Sequence, residues 1–497
     1  MSGATSLPDP TGPTAPLVPG HSLTVDLLVI GCGPAGEKGA VQAAFYGKSV
    51  VVVERGPLGG ACVHTGTLPS KGLRESSLAL AGLRNLGLRG ITCNLAQDVR
   101  VDELLAHKDA VAATETARIE ANLARHNVQL LRGEARLVAQ DCGEVTLQNG
   151  QVVTVHASVV LLATGTHPHR PADLPFASRE VWCSDEVVQM DTIPASLLVY
   201  GAGVIGCEYA SMFAALGVEV HLIEPRDRVL PFIDQEIAAN LVEAMSQLGV
   251  RLHTNSKYHR CEVQEGQVRL HMSSGPALVA ERLLFAAGRT GNVEGLGLQE
   301  VGVRVSSRGL IEVDKQYYTG VGRIYAVGDV IGFPALASTS MDQGRVAMCH
   351  AFGFSYKQSL ASLLPYGIYT IPECSLVGAT EQELEQQGRA FEVGRARYQD
   401  NARAQLMGNQ QGLLKLLFCP DTRELLGVHV VGERASELVH IGMMVMQFGG
   451  KIDAFIDAVF NYPTLSELFK YAAYDGLGRL ARRKAFEAAA VATASAT

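Results

Sequence analysis

Two stretches of the chain show the same order of hydrophobic and polar positions. In each, an apolar run predicts a strand buried on both faces, a glycine-rich turn and a helix follow, and a second apolar run ends in an acidic residue. The first stretch has runs at 25–30 and 49–53 and ends at Glu54. The second has runs at 196–200 and 218–223 and ends at Glu224. The pattern therefore predicts two βαβ units of the kind that binds dinucleotides.

The remaining pattern predicts a hairpin, a different C-terminal region, a disordered N-terminal extension and an alanine-rich tail. Residues 144–148 and 151–155 flank Asn149-Gly150, which is the signal for a type I′ turn. From about residue 356 the pattern changes to mixed strands and amphipathic helices, without a third glycine-rich turn. Residues 1–24 are rich in Pro, Gly, Ser and Thr and predict a disordered extension. We expect no chemistry from the alanine-rich tail, 481–497.

Composition restricts the class of protein. At 497 residues the chain is long enough for about three domains, and its net charge of −8 argues against nucleic-acid or anionic-membrane binding. No apolar run reaches the roughly 18–20 residues of a membrane span. The first 37 residues contain no Lys or Arg, so we expect neither a signal peptide nor an arginine-rich transit peptide. Ten cysteines occur without a CxxC pair, which predicts buried free thiols in a reducing cytoplasm.

The first glycine-rich turn reads Gly31-Cys32-Gly33-Pro34-Ala35-Gly36, with the spacing of a dinucleotide fingerprint. The first glycine permits a tight turn, the second lets the main chain approach a pyrophosphate, and the third lets helix and strand pack closely. The phosphates then lie at a helix N-terminus. Glu54 is placed to accept hydrogen bonds from the adenosine ribose.

The second turn, Gly201-Ala202-Gly203-Val204-Ile205-Gly206, has the same spacing, with Glu224 at the matching acidic position. The glycines do not determine which nucleotide binds. Glu224 favours the ribose hydroxyls of NAD and repels a 2′-phosphate. Arg226 and Arg228 lie just beyond it and are suited to bind that phosphate. The alternative, that both arginines are solvated loop charges, stays open and predicts a mainly NAD-linked protein.

The segment from Gly59-Gly60-Ala61-Cys62 to Pro69-Ser70-Lys71 resembles the active-site stretch of the pyridine nucleotide-disulfide oxidoreductases. That family has a Cys-x4-Cys pattern, whereas this chain has Cys62 and Thr67. Because a redox disulfide needs two sulfur atoms, this loop cannot form one. The sequence therefore predicts a reductase framework without thiol chemistry.

Other stretches extend the resemblance from about residue 25 to 480. Residues 325–329 resemble the second flavin motif, whose Asp contacts the ribityl chain, and 163–166 and 287–290 resemble the two crossings between nucleotide domains. Tyr462 replaces the usual histidine, and a phenol of pKa about 10 is a poor proton shuttle near neutrality. A packing role is the simpler alternative for this side chain. Together these stretches are most similar to the soluble pyridine nucleotide transhydrogenase branch of the family.

This resemblance implies an α/β fold with two Rossmann-like domains, for FAD and NAD(P), and a C-terminal α+β dimerisation domain. It implies a homodimer or a higher homo-oligomer in the cytoplasm. The predicted domains are an N-terminal extension (1–24), the FAD domain in two parts (25–167 and 288–355), the NAD(P) domain (168–287), the interface domain (356–480) and the tail (481–497).

The resemblance also implies the chemistry: reversible hydride transfer between NADPH and NAD⁺ through bound FAD, by a ping-pong mechanism with reduced flavin as the intermediate. Lys71 and Glu208 are the predicted catalytic residues, an ion pair beside flavin N5. We expect no metal site. Cofactor binding is assigned to both turns, to Glu54, Glu208, Glu224 and Arg226, and to Arg55, Gly59, Gly60, Ala61, Cys62, Thr67, Lys71, Ala135, Ala163, Thr164, Gly165, Gly288, Arg289, Gly328, Asp329 and Ala337.

Two other functions remain open from the sequence. One is a diaphorase that passes electrons from a nicotinamide to a quinone or dye. The other is a flavoprotein that senses nicotinamide redox state without turnover. Cys62 is expected to pack near the flavin without a redox role, and His64 is expected to be a polar lining residue without an identified partner.

Overall fold

The computed structural model of the chain describes residues 22–84 and 101–494. The chain divides into two compact units, each made of three segments. The first unit comprises Met1–Leu73, Val99–His169 and Gly288–Leu360; the second comprises Arg74–Asp98, Arg170–Ala287 and Ala361–Thr497. The expected disorder of residues 1–21 lies outside the described residues, and the predicted domain boundaries stay predictions.

The first unit alternates strands and helices in its N-terminal part. Its elements are β1 (Ser22–Ile30), α1 (Pro34–Phe45), β2 (Val50–Glu54), α2 (Gly60–His64), α3 (Thr67–Arg84, which continues into the second unit), α4 (Val101–Arg125), β3 (Gln129–Ala139), β4 (Cys142–Leu147), β5 (Val152–Leu162), β6 (Thr166–Pro168), β15 (Arg289–Gly291), α8 (Leu298–Val301), β16 (Ile324–Ala326) and α9 (Ala337–Phe352).

The main sheet of the first unit has β1 between β2 and β5, all parallel, with β16 on the far side of β5. Leu28 pairs with Val51 on one side and with Val160 on the other. β3, β4 and β5 form an antiparallel meander. Strand residues alternate between two cores: Leu27 and Val29 belong to one, Leu28 and Ile30 to the other. The carboxyl ends of the parallel strands therefore meet at one edge, where the first glycine-rich turn lies.

The second unit contains a second parallel sheet and an antiparallel sheet. Its elements are β7 (Val181–Trp182), α5 (Ser184–Val187), β8 (Ser196–Tyr200), α6 (Val204–Ala215), β9 (Glu219–Ile223), α7 (Gln235–Gln247), β10 (Val250–His253), β11 (Tyr258–Gln264), β12 (Gln267–Met272), β13 (Leu278–Ala280), β14 (Arg282–Phe285), β17 (Tyr366–Ile368), β18 (Cys374–Gly378), α10 (Glu381–Gln386), β19 (Glu392–Arg397), α11 (Ala402–Met407), β20 (Leu413–Phe418), β21 (Leu425–Val431), α12 (Ala435–Gln447), α13 (Asp453–Asp457) and α14 (Glu467–Ala494).

The parallel sheet of the second unit has the order β10-β9-β8-β14-β7, and the meander β11-β12-β13 contributes Val268 and Leu270 to a core shared with Leu198 and Tyr200. The antiparallel sheet has the order β17-β18-β21-β20-β19. Its core packs strand residues such as Leu416 against α12 and α14. The predicted α/β class with a C-terminal α+β region is confirmed.

A buried ionic cluster joins α7 to the antiparallel sheet. The ammonium group of Lys415, fully buried on β20, lies 2.9 Å from both carboxylate oxygens of Asp234 and 3.0 Å from Glu236. It also pairs with Glu381, while Arg395 bonds Glu236 at 2.8 Å. Removing one member of such a cluster costs about 3–5 kcal/mol, because the remaining charges stay buried. The cluster therefore ties α7 to the antiparallel sheet of the second unit.

Two predicted details differ from the structure. β1 begins at Ser22 rather than Val25, because residues 22–24 pair with β5. The hairpin between β4 and β5 forms, but Asn149 is not among the residues with positive φ, whereas Gly150 has φ 83°. Gly150 N–H donates to the Leu147 carbonyl at 2.9 Å, so the connection is a type I turn followed by a left-handed glycine, not type I′. The alanine-rich tail continues α14 to Ala494.

None of the described helices is both long enough and apolar enough to span a membrane.

Candidate nucleotide and hydride-transfer sites

The first glycine-rich turn has the backbone that a dinucleotide fingerprint requires. Gly31 has φ 99°, and a Cβ there would lie 2.4 Å from the Ala163 carbonyl oxygen. A Cβ on Gly36 would lie 2.0 Å from the Gly31 carbonyl oxygen. A Cβ on Gly33, in contrast, would meet nothing within 4 Å. The first and third glycines are thus required by the fold, whereas Gly33 leaves open space beside the N-terminus of α1.

Glu54, at the end of β2, is bound to the turn itself. Its carboxylate accepts hydrogen bonds from Cys32 N–H at 2.7 Å and from Gly56 N–H at 2.8 Å. Two main-chain donors hold the carboxylate at the edge of the sheet, where the ribose of a bound dinucleotide is expected.

The residues of the first unit fit an FAD-type cofactor. The Thr164 hydroxyl is buried and has no hydrogen-bond partner, which leaves a polar atom for a ligand. The α1 N-terminus has no side-chain cap, so its amides are available to a phosphate. Asp329 lies in a 3₁₀ turn behind Gly328, whose N–H donates to the buried Gln343 at 2.8 Å.

The two crossing segments meet in the first unit. β6 and β15 pair in an antiparallel two-stranded ribbon. Arg289 donates to the Thr166 hydroxyl at 2.7 Å and to the Thr166 carbonyl at 2.8 Å, and the Thr166 hydroxyl lies 3.4 Å from Asp329. Arg289 thus fixes the crossing beside Asp329.

Cys62 lies in the short helix α2 and Thr67 begins α3. Burial raises the pKa of the Cys62 thiol above its ordinary value, and a hydrogen bond with the Thr67 side chain opposes this in part. The thiol therefore stays protonated near neutrality. His64 does have partners: its Nε2 lies 2.9 Å from the Leu58 carbonyl oxygen and 3.3 Å from the Thr116 hydroxyl.

The other predicted residues of the first unit occupy varied places. Lys71 lies on α3, half-buried. Gly59 and Gly60 have φ 95° and 56° at the start of α2. Ala35, Ala135 and Ala163 are buried, Pro34 and Ala337 begin α1 and α9, Gly165 has φ 67° before β6, Gly288 has φ 117° before β15, and Ala61 and Arg55 are exposed.

The second turn repeats the backbone of the first. Gly201 has φ 102°, and a Cβ on Gly206 would lie 1.8 Å from the Gly201 carbonyl oxygen. A Cβ on Gly203 would meet nothing within 4 Å. Val204 and Ile205 form the first turn of α6, which also has no side-chain cap.

Arg226 covers the acidic residue of the second turn. Glu224 accepts from Ala202 N–H at 2.7 Å and from Arg226 N–H at 3.0 Å, and the Arg226 guanidinium adds bonds of 2.7 and 3.0 Å. Burial alone raises the pKa of Glu224, but the bonds from Arg226 outweigh it and hold the pKa below its usual range. Arg228 donates to the Pro231 carbonyl instead. Both arginines therefore have hydrogen-bond partners within the second unit.

Glu208, on α6, is 4% exposed and accepts a hydrogen bond from Tyr369 N–H at 2.8 Å. Ser211, one turn later, donates to the Glu208 carbonyl at 2.8 Å and accepts from Ile371 N–H at 3.0 Å. Glu208 is therefore held by the segment between β17 and β18. Tyr462, in contrast, is 75% exposed, so the structure leaves its role as a prediction.

Sequence reasoning missed several ordering residues. Arg74, buried on α3, donates to the Thr370 carbonyl at 3.2 Å, a contact across 296 positions of the chain. Ser211 and Gln343 were also missed, because a single Ser or Gln in a helix carries no pattern. The carboxylates of Asp234, Glu236 and Glu381 have metal-like spacing, but the Lys415 ammonium group lies among them, so this cluster is a buried ion-pair network.

The thiol prediction holds in part. The nine cysteines of the described residues are free, but only six are buried; Cys62, Cys261 and Cys419 are partly exposed.

Family models match most of the chain. The model described as pyridine nucleotide-disulphide oxidoreductase matches residues 25–344. The model described as the dimerisation domain of the same family matches residues 364–473.

Curated relatives match over nearly their full length. A protein of Mycobacterium tuberculosis named soluble pyridine nucleotide transhydrogenase is 44% identical over 457 residues, which is 92% of this chain and 97% of the relative. Proteins with the same name from Pseudomonas putida and Escherichia coli are 42% and 40% identical, and the matches cover 92% and 93% of this chain and 98% and 99% of the relatives.

Solved structures share the fold. LpdA from Mycobacterium tuberculosis has a TM-score of 0.83 and 29% identity, covering 90% of this chain and 99% of that one. RclA from Escherichia coli, described as an HOCl-induced flavoprotein disulfide reductase, has a TM-score of 0.80 and 26% identity, covering 89% and 99%.

Proposed function

Because the chain belongs to the pyridine nucleotide-disulphide oxidoreductase family, we propose that it is an NAD(P)⁺ transhydrogenase that moves hydride reversibly between NADPH and NAD⁺ through bound FAD. The named relatives at 40–44% identity support this activity. We propose a ping-pong order, in which one nucleotide leaves before the next enters, because both nucleotides are assigned to the second turn.

The observation that carries the proposal is Thr67. Its hydroxyl stands at the position of the second sulfur, and Cys62, the thiol beside it, is kept protonated by burial. A disulfide substrate would need a dithiol to receive the electrons, and this loop has one sulfur. Hydride exchange between nicotinamides needs no sulfur, so the site retains what that reaction requires.

The residues of the chain would bind and orient the cofactor and the nucleotides and would supply charged groups beside them. FAD, when bound, supplies the group that accepts and returns hydride. The open space at Gly33 and at Gly203 lets the main chain approach one pyrophosphate in each unit. Lys71, which the resemblance places beside the flavin, would supply a fixed positive charge there, and Glu208 is the second predicted catalytic residue.

In this proposal both nicotinamide nucleotides use the second turn. Arg226 pairs with Glu224, so the carboxylate would not exclude a 2′-phosphate, and the half-exposed guanidinium would bind one. Glu224 remains available as the acceptor for the ribose of NAD. We infer that this pair lets one site bind both nucleotides. We also propose that the protein is a homodimer or larger homo-oligomer and that it acts in the cytoplasm.

Anaerobic stopped-flow mixing tests the function. NADPH should bleach the flavin absorbance of the purified protein without a long-wavelength thiolate–flavin band, and NAD⁺ should then restore it with stoichiometric NADH. If NADPH leaves the flavin oxidised, or NAD⁺ fails to restore the absorbance, the proposal is wrong. Restoration by a quinone alone would indicate a diaphorase, and restoration by neither would indicate a sensor.

A further inference from the structure

The segment 369–373, between β17 and β18, bonds to two helices through its main chain. Tyr369 N–H donates to the Glu208 carboxylate at 2.8 Å, and Ile371 N–H donates to the Ser211 hydroxyl at 3.0 Å. The Thr370 carbonyl, which lies between them, accepts from Arg74 Nε at 3.2 Å. Main-chain groups of three successive residues are thus used as anchors, one for α3 and two for α6.

The end of this segment is also fixed. Glu373 is 7% exposed and pairs with a second nitrogen of Arg74 at 3.1 Å. It also accepts from Ser436 N–H at 3.0 Å and from the Ser436 hydroxyl at 2.7 Å, at the start of α12. Because every one of these groups is buried or half-buried, the segment has little freedom to shift relative to α12.

The two helices use equivalent positions to reach the segment. On α3, Arg74 lies three residues after Lys71; on α6, Ser211 lies three residues after Glu208. Residues three apart lie on one face of a helix. Each predicted catalytic residue is therefore followed, one turn later, by a buried polar side chain that binds the same few peptide groups.

We propose that Arg74 and Ser211 are positioning residues for hydride transfer, which set the helices bearing Lys71 and Glu208 through their bonds to segment 369–373. This inference rests on the proposed function. Neither residue is expected to touch a nucleotide. A shift of a fraction of an ångström in a reacting geometry reduces rate more than binding, because near-attack distances must be kept within narrow limits.

The test uses the FAD-containing enzyme and three variants. Ser211→Ala removes the hydroxyl with little change in volume. Arg74→Lys keeps the charge but cannot bind the Thr370 carbonyl and Glu373 through two nitrogens at once. Thr319→Val is the matched control: Thr319 is also buried, its hydroxyl donates to the Ile324 carbonyl and accepts from Val321 N–H, and it lies in the first unit. FAD content, melting temperature, nucleotide Kd and the rate constant of flavin reduction would be measured for each.

We expect Ser211→Ala and Arg74→Lys to slow flavin reduction about tenfold, equivalent to about 1.4 kcal/mol of activation free energy, while Kd changes less than about twofold. Thr319→Val should lose a similar amount of melting temperature and keep its rate. In the double variant Ser211→Ala/Arg74→Lys, the rate constant of flavin reduction should decrease by less than the product of the two single decreases, because both residues act through one segment.

Equal rates in Ser211→Ala and Thr319→Val would overturn the inference and leave Ser211 with a structural role only. The Ser211→Ala result decides the inference on its own, whether or not Arg74→Lys folds. Flavin reduction by NADH and by NADPH is measured separately from transfer between them. Failure of the wild-type enzyme to return hydride to NAD⁺ would contradict the proposed function, yet it would leave this comparison of reduction rates intact.

Discussion

The two glycine-rich turns have almost the same backbone, but the acidic residue that each turn binds has a different neighbour two positions further along the chain. Gly31 and Gly201 have φ 99° and 102°, and the second glycines, Gly33 and Gly203, have φ −75° and −77°. In each turn the acidic residue accepts from the amide of the second turn residue at 2.7 Å and from the amide two residues beyond itself at 2.8–3.0 Å.

The residue two beyond the acid is Gly56 in the first turn and Arg226 in the second. Gly56 gives Glu54 only an amide, whereas Arg226 gives Glu224 an amide and a guanidinium. The backbone is thus a general device for holding a pyrophosphate, and the side chain at this position sets the charge beside the ribose. We infer that the first turn is suited to one resident nucleotide and the second to two exchanging ones.

Replacing the second glycine of each turn should have the largest effect, because it should weaken a different ligand in each turn. Gly33→Ala and Gly203→Ala place a methyl where the structure leaves open space, so both variants should fold. The methyl occupies the approach of the pyrophosphate, and the loss of two charge-assisted hydrogen bonds costs roughly 3 kcal/mol or more, on the order of 100-fold in affinity. Gly33→Ala should be purified without FAD, whereas Gly203→Ala should keep FAD and bind both nicotinamide nucleotides weakly.

Flavin absorbance per polypeptide and nucleotide titrations measure these effects. Gly82→Ala, an exposed helical glycine whose Cβ also meets nothing within 4 Å, is the control and should change neither. Full FAD content in Gly33→Ala, or loss of FAD from Gly203→Ala, would mean that the two turns are assigned to the wrong nucleotides.

The turns also show what the sequence can predict. Spacing alone gave both turns, their strands and the acids Glu54 and Glu224, because each depends on residues within about 25 positions. It did not give the pairing of Arg226 with Glu224, since an arginine two residues beyond an acid can point to solvent or back onto the carboxylate.

Contacts between distant segments were less predictable. Arg74 and Thr370, or Lys415 and Asp234, lie far apart in sequence and belong to no repeating pattern. The hairpin was predicted with the wrong turn, because Asn-Gly also suits a three-residue connection in which only the glycine is left-handed. Such details depend on how neighbouring strands close, which local preference does not determine.

Arg226→Ala should weaken the binding of NADPH more than the binding of NADH. Without the guanidinium, Glu224 is uncompensated beside the 2′-phosphate of NADPH, and a charge-assisted contact is lost. We expect the Kd of NADPH to rise about tenfold or more, and that of NADH to change less than about threefold. Titration of each variant with both nucleotides measures this. Arg251→Ala, an exposed arginine on β10, is the control. An equal loss for both nucleotides would indicate that Arg226 only supports the turn.

Glu224→Gln should shift the same preference by a smaller amount in the opposite direction. The pKa of Glu224 is held below its usual range, so the carboxylate is charged at neutral pH and the substitution removes a full charge. Because Arg226 already compensates that charge, and a half-exposed ion pair contributes at most about 1 kcal/mol, we expect roughly a threefold gain for NADPH over NADH. The ratio of the two Kd values measures the shift, and no change in the ratio would mean that Arg226 compensates Glu224 completely.

The smallest effect on turnover is expected at Cys62, in the short helix α2. Burial raises the pKa of Cys62, whereas hydrogen bonds from Thr422 lower the pKa of Cys419. A thiol reacts as its thiolate, so alkylation of Cys419 should begin at a lower pH, and that of Cys62 only above the ordinary thiol range of about 8.5. Peptide mass spectrometry after brief iodoacetamide treatment at several pH values measures both sites in one sample.

Because hydride transfer needs no thiolate, Cys62→Ser should keep turnover within about twofold. Rapid alkylation of Cys62 at neutral pH, together with a large loss of turnover in Cys62→Ser, would show that this cysteine retains a redox role without its partner sulfur.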